Sequence, residues 1–94
     1  MSDTTLHILN RGPNQPELLQ HLIDACSDGD TILLIEDGVY WSSDHFTHHF
    51  AGLDLTVLQA DLAARGVKAA IGEPIDDADF VDLTVAHSRS VSWC

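Results

Sequence analysis

The sequence of 94 residues predicts a three-layer α/β domain, in which helices cover both faces of a mainly parallel sheet of about five strands. Residues 32–35 are a short apolar run that ends in turn residues, which is typical of a strand buried on both faces. Segments rich in β-formers alternate with segments of helical periodicity along the rest of the chain. Such alternation favours βαβ units with right-handed crossovers.

The first part of the chain predicts one βαβ unit. Residues 4–9 are rich in β-formers and predict a strand. Asn14 is a candidate N-cap for the helix that follows, and Glu17 stands in the capping-box position. The apolar stripe of this helix ends at Cys26, and Gly29 is a candidate left-handed cap. The apolar run then follows as the second strand, at the centre of the sheet.

The second part of the chain predicts shorter elements, and neither a repeat nor a linker divides it. We therefore expect residues 1–94 to form one domain. The predicted elements are a short helix running into a loop (39–50), a strand (53–58), a helix (59–66), a strand or extended segment (67–71), a turn (72–74), a helix (77–88) and a short strand (91–93).

The composition is acidic, with 15 acids against four bases and a formal net charge of −11. Such a surface repels phosphate backbones, so direct nucleic-acid binding is not expected. No apolar run approaches the roughly 18 residues of a membrane span. The first residues, 1–5, lack the pattern of a signal peptide, so the expected compartment is the cytoplasm. A chain this short buries a limited core, which favours assembly with partner subunits.

Four blocks of the sequence resemble the TusB/DsrH family, and they occur in the family's order. Gly12 departs from the family pattern, because many relatives place serine before the proline. Residues 41–52 follow no pattern of the family. The four blocks are Leu6-His7 with Asn10 and Pro13, LLIEDGVY at 33–40, DLAARG at 61–66, and DFVDLTVAH at 79–87 with Trp93.

The resemblance implies a DsrE-like fold and a subunit of a cytoplasmic sulfur-relay complex. It implies TusC-like and TusD-like partners in a dimer of heterotrimers, a TusE-like downstream carrier, and 2-thiolation of the wobble uridine of transfer RNA as the end point. The alternative is a DsrH-like subunit of a sulfur-oxidation complex. Because the principal sulfur-carrying cysteine belongs to the TusD/DsrE subunit, neither a cofactor nor catalysis by this chain alone is expected.

The two cysteines, Cys26 and Cys94, are the candidate sulfur acceptors. Their spacing matches no metal motif, and a cytosolic chain favours free thiols. Cys26 lies on the apolar stripe near the C-terminal end of a helix, where the dipole disfavours a thiolate, so we expect a small buried hydrophobe. The cysteine of DsrH-type relatives aligns with Leu22 instead. Cys94 lies beside a terminal carboxylate. A direct persulfide carrier using Cys26 is the competing hypothesis.

Glu36 and Asp37 end the central strand and could form a general acid/base pair. Adjacent residues of a strand point to opposite faces, so a shared site is not expected. We expect Asp37 and Gly38 to form a turn and Glu36 to accept hydrogen bonds from the backbone or a partner.

The histidines divide into two groups. His45 and His49 are four residues apart, as metal ligands on one helix face would be, and His48 is adjacent. No further ligand completes the set, so exposed loop histidines are expected, and a metal-binding module is a third hypothesis. His7 and His87 fall on core-facing positions and predict hydrogen-bonded, half-buried side chains.

Several aromatic residues follow the central strand, more than a small core readily encloses. Aromatic anchors among polar residues are typical of interface centres. Tyr40 and Trp41, with Glu36, Asp37 and Trp93, are therefore the predicted contacts with partner subunits.

Overall fold

The computed structural model describes residues 3–94. Met1 and Ser2 lie outside the described residues. The expectations about a signal peptide and about a domain of residues 1–94 include these two residues. The strands are β1 (Thr5–Leu9), β2 (Thr31–Leu34), β3 (Asp54–Leu58), β4 (Glu73–Ile75) and β5 (Arg89–Trp93). The helices are α1 (Pro16–Ala25), α2 (Gln59–Arg65), α3 (Asp77–Ala86), and two 3₁₀ helices, the first at Glu36–Ser42 and the second at Asp44–Phe50.

All strand pairs are parallel, and the order in the sheet is β4-β3-β2-β1-β5. The strand predicted to be central, β2, lies in the middle, with Leu6 of β1 opposite Thr31 and Leu55 of β3 opposite Ile32. The chain steps from β1 to β4 in one direction, and α3 then carries it back to pair β5 with β1. These features confirm the predicted α/β class with helices on both faces.

Two hydrophobic clusters lie on opposite faces of the sheet. α1, both 3₁₀ helices and α2 cover one face, and α3 covers the other. Burying a single leucine side chain contributes about 1.5–3 kcal/mol, so these clusters supply most of the stability. The first cluster consists of Leu9, Leu19, Leu22, Ile32, Leu34, Val39, Trp41, Phe50, Leu55, Val57 and Leu62. The second consists of Leu6, Leu33, Leu58 and Ile75, with Phe80 and Leu83 of α3 packed against it.

Three local predictions differ from the structure. The N-cap of α1 is Gln15 rather than Asn14, and no side chain caps it. Of the two alternatives for residues 67–71, the strand is wrong, because the amides of Ala70 and Ile71 donate to the Ser42 carbonyl instead. The predicted turn at 72–74 is largely strand β4. No helix within residues 3–94 has the length and apolar content needed to cross a bilayer.

Candidate functional site

The carboxyl end of β2 is packed tightly against the end of β1. Ile35 donates its amide to the Leu9 carbonyl at 3.1 Å, and Gly38 donates to the Ile35 carbonyl at 2.8 Å. A Cβ on Gly38 would collide with the backbone oxygen of Leu9, so only glycine fits there. This close approach fixes where the first 3₁₀ helix begins.

Glu36 and Asp37 belong to the first 3₁₀ helix. The expectation that they alternate across a strand was therefore wrong. Glu36 has a φ of +50°, and its amide donates to Oδ2 of Asp61 at 2.7 Å.

The carboxylate of Asp37 forms an ion pair with a residue of α2. Arg65 donates from Nε to Oδ1 of Asp37 at 2.9 Å, and its Nη1 lies 3.8 Å from Asp61. The hydrogen bond that Arg65 donates to Asp37 raises the pKa of Arg65, and the charges of Asp37 and Asp61 add to this effect. The structure places a structural clamp here, and the predicted partner contacts of Glu36 and Asp37 stay predictions.

The two aromatic residues predicted as interface anchors differ in exposure. Trp41 is 2% exposed, and its indole N–H donates to the Arg11 carbonyl at 3.1 Å. Tyr40 is 41% exposed. Trp41 is thus a core residue, because its ring packs edge-on against Phe46 with centroids 5.0 Å apart. Tyr40 is the member of the pair whose side chain a partner can reach.

The segment of His45, His48 and His49 packs as an aromatic patch. The His48 and His49 rings lie 4.1 Å apart, and His49 meets Trp41 edge-on at 5.5 Å. Burial, and then the charge of His48, lower the pKa of His49. Within residues 3–94, these three histidines do not bring three ligand atoms within metal-binding distance of one another.

A buried carboxylate that the sequence analysis did not single out organises the amino end of the sheet. Asp30 precedes β2 and accepts three hydrogen bonds, from the Thr5 amide at 2.9 Å, the Ser27 amide at 3.0 Å and His7 Nε2 at 2.9 Å. Burial alone would raise the pKa of Asp30, but these hydrogen bonds hold it below its ordinary value. Asp30 therefore ties β1 to the turn before β2.

His7 extends this network to the last strand. Trp93 donates from its indole Nε1 to Nδ1 of His7 at 3.2 Å, and the two rings are stacked with centroids 6.1 Å apart. The hydrogen-bonded role predicted for His7 is confirmed, as is that of His87, whose Nδ1 lies 2.8 Å from Thr4 Oγ1. The helical and strand periods of the sequence could not reveal the partners of His7, because Asp30 is 23 residues away and Trp93 is 86 residues away.

Cys26 adjoins the same network. Its sulfur, an Asp30 oxygen and a His7 nitrogen all lie within 4.8 Å of one another. Burial, and then the charge of Asp30, raise the pKa of the Cys26 thiol to about 11. Because Trp93 donates to Nδ1 of His7, the ring proton lies on Nε2 and faces Asp30. The geometry is that of a hydrogen-bond network, in which the imidazole presents no free lone pair to a metal.

The other cysteine, Cys94, is exposed and lies just beyond β5. Both thiols are free, and Cys26 lies beside Asp30 before β2 rather than with the carboxylates that follow it. The predicted site residues therefore do not form one constellation. They distribute over the Glu36–Tyr40 segment, the histidine patch and the Trp93 edge.

Comparisons with known proteins agree on one family. The family model described as "DsrH like protein" matches residues 11–90. Proteins called "Protein TusB" from Escherichia coli O1:K1 / APEC and from Shigella boydii serotype 18 are each 37% identical over 95 residues. The alignment covers 94% of this chain and 99% of each relative.

Proposed function

Because the chain belongs to the TusB/DsrH family of sulfur-relay subunits, we propose that it is a non-catalytic subunit of a cytoplasmic sulfurtransferase complex. The observation that carries the proposal is the 37% identity to TusB proteins along 94% of the chain. A similarity over nearly the whole length concerns the complete domain and not a single motif.

The environment of Cys26 supports a non-catalytic role. A persulfide carrier needs an accessible thiolate, which a nearby cation or a helix N-terminus provides. Cys26 instead follows the C-terminal end of α1 and lies beside the carboxylate of Asp30, with a pKa of about 11. At neutral pH the thiol is protonated and half-buried. The sulfur is therefore carried by another subunit of the complex, which is TusD-like in this proposal.

The proposed assembly is a dimer of heterotrimers with TusC-like and TusD-like chains, and a TusE-like carrier takes the sulfur onward. The charge of −11 suits basic partner surfaces, and the exposed ring of Tyr40 offers an apolar contact. The proposed end point is 2-thiolation of the wobble uridine of transfer RNA. This acidic chain itself makes no direct contact with the nucleic acid in the proposal, because its charge repels a phosphate backbone.

Co-expression with TusC-like and TusD-like chains from the same genome tests the assembly. We expect the three chains to purify together, with a mass by light scattering that equals two copies of each. A chain that purifies alone as a monomer contradicts the proposal.

Deletion of the gene tests the end point. We expect the 2-thiouridine content of the transfer RNA to fall and to return on complementation. An unchanged thiouridine content, combined with an intact complex, would favour the DsrH-like role in sulfur oxidation.

A further inference from the structure

The two edges of the sheet are built differently. β4, at one edge, has three residues and includes Pro74, which has no amide hydrogen to donate. β5, at the other edge, has five residues with neither proline nor lysine. Short strands, proline and charged side chains are among the devices that keep sheet edges from pairing with other chains. The β4 edge combines all three in its short length, Glu73 and Pro74, whereas the longer β5 edge has one charged side chain, Arg89, at its first residue.

The backbone of β5 has free hydrogen-bonding groups at two known positions. Thr5 and Leu9 of β1 direct their backbone groups toward the β2 side, as their bonds to Asp30 and Ile35 show. Alternate residues of a parallel strand face opposite neighbours, so Leu6 and Ile8 face β5. Leu6 lies opposite Ser90 and Ile8 lies opposite Ser92. Leu6 and Ile8 therefore form their hydrogen bonds with the residues of β5 that flank Ser90 and Ser92, and not with these two serines. The amides and carbonyls of Ser90 and Ser92 consequently point outward.

Both ends of this open edge are held in place. At its start, the Ser88 amide and hydroxyl donate to the Thr4 carbonyl at 3.0 and 2.9 Å. Arg89 contacts Asp3 at 3.2 Å. At its end, Trp93 is bonded to the buried His7. The edge is thus a preorganised template, and a partner need not order it on binding.

A groove of about 350 Å³ runs beside β5 on the face that α1 covers. Val91 and Trp93 of β5 line it with His7, and the charged side chains of Asp3, Asp30 and Arg89 line it as well, so the groove is polar and apolar in about equal parts. Val91 is 37% exposed and offers an apolar contact there. An extended strand alternates its side chains, so one paired with β5 would place every second side chain on this groove.

We propose that the outer edge of β5 pairs with an extended strand of a partner subunit whose side chains are basic or neutral rather than acidic. The inference rests on the proposed function, since the partner is sought in the same complex. A second copy of this chain fits less well, because two chains of charge −11 repel one another. Backbone pairing would supply affinity, and the groove would supply selectivity.

Proline and alanine at the outward positions test the inference. The probe is the purified pair of TusC-like and TusD-like chains. We expect Ser90→Pro and Ser92→Pro to weaken binding about tenfold or more, because each removes one outward amide. Ser90→Ala and Ser92→Ala keep the amide and should bind within about twofold of the wild type. Thermal unfolding checks that each proline variant is folded.

Amide hydrogen exchange on the wild-type chain gives a readout that needs no variant. The Ser90 and Ser92 amides should exchange quickly in the free chain and become protected in the complex. Unchanged exchange in a complex that forms, or folded proline variants with full binding, overturns the β5 inference alone. Failure of the wild-type chain to bind refutes the proposed function instead. A homodimer with protected Ser90 and Ser92 overturns the choice of partner.

Discussion

His7 donates a hydrogen bond from Nε2 to Oδ2 of Asp30 at 2.9 Å, and the two side chains are only 4% and 6% exposed. This contact joins β1 to the turn that leads into β2. Because Asp30 also accepts the amides of Thr5 and Ser27, one carboxylate serves three donors. Removing it would leave buried donors without acceptors, which costs more than the bonds themselves contribute.

We expect Asp30→Ala to lower the free energy of unfolding by about 2–4 kcal/mol, since several buried donors lose their acceptor. Urea denaturation followed by circular dichroism measures the change. Asp28→Ala is the matched control, because Asp28 is exposed two residues earlier and should change stability by no more than about 0.5 kcal/mol. Equal effects of the two substitutions would show that Asp30 has no special role.

The lowered pKa of Asp30 predicts a pH dependence with a defined sign. The Asp30 carboxyl binds a proton more tightly in the unfolded chain than in the folded chain. The contribution of ionised Asp30 to stability is therefore complete above the ordinary pKa of 3.8. It is lost as the pH falls through the lower pKa of the folded state. The stability gap between the wild type and Asp30→Asn should be constant near neutrality and narrow below about pH 4. A gap that widens on acidification contradicts the assignment.

Cys26 should react slowly with iodoacetamide at neutral pH. With a pKa of about 11, about three thiols in 10,000 are ionised at pH 7.5. In the Cys94→Ser variant, the alkylation rate should rise about tenfold for each pH unit up to pH 10. The Cys26→Ser variant, in which only the exposed Cys94 can be alkylated, is the control.

The same variants test the carrier hypothesis for Cys26. After incubation with a cysteine desulfurase and the upstream carrier, we expect no mass gain of about 32 Da on Cys26. A persulfide found there would favour the direct carrier over the non-catalytic subunit.

Gly38→Ala should destabilise the fold by about 3 kcal/mol, because the new Cβ would collide with the Leu9 carbonyl oxygen. Gly52→Ala is the control for a glycine in open space, where only the φ of +78° is unfavourable and the cost is about 1 kcal/mol. Thermal unfolding of both variants compares the two effects. A milder effect at Gly38 than at Gly52 would refute the steric account.

Tyr40→Ala and Trp41→Ala should separate binding from stability. Trp41→Ala removes a buried ring and should cost about 3–5 kcal/mol of stability. Tyr40→Ala should leave stability within about 1 kcal/mol and weaken binding to the TusC-like and TusD-like chains. Pull-down with these chains, alongside urea denaturation, measures both. Full binding by Tyr40→Ala would remove that side chain from the interface.

The sequence predicted the class of the fold, because a buried parallel strand and an amphipathic helix have distinct periods. β2 and α1 were placed well for that reason. The 67–71 segment was misjudged, since its amides bind the Ser42 carbonyl, a contact that depends on tertiary structure. Aromatic content alone could not tell the core residue Trp41 from the exposed Tyr40.

The network at the amino end of the sheet was beyond local patterns. The sequence placed His7 on a core-facing position, and His7 is buried as predicted. The contact of His7 with Asp30 requires β1 and β2 to be in register, and the Trp93 contact requires β5 to return to β1. Composition indicated an acidic protein but not that the Asp30 side chain is only 6% exposed.

The pairing of β5 with β1 has a consequence for synthesis of the protein. The Ser88 hydroxyl and the Thr4 carbonyl that it contacts are 84 residues apart, so this part of the sheet cannot close until the β5 segment has left the ribosome. Until then, β1 presents an open edge on the nascent chain. Strands β1 to β4 can pair in the order of their synthesis, whereas β5 is made after them and must pair with β1, the first of the five strands.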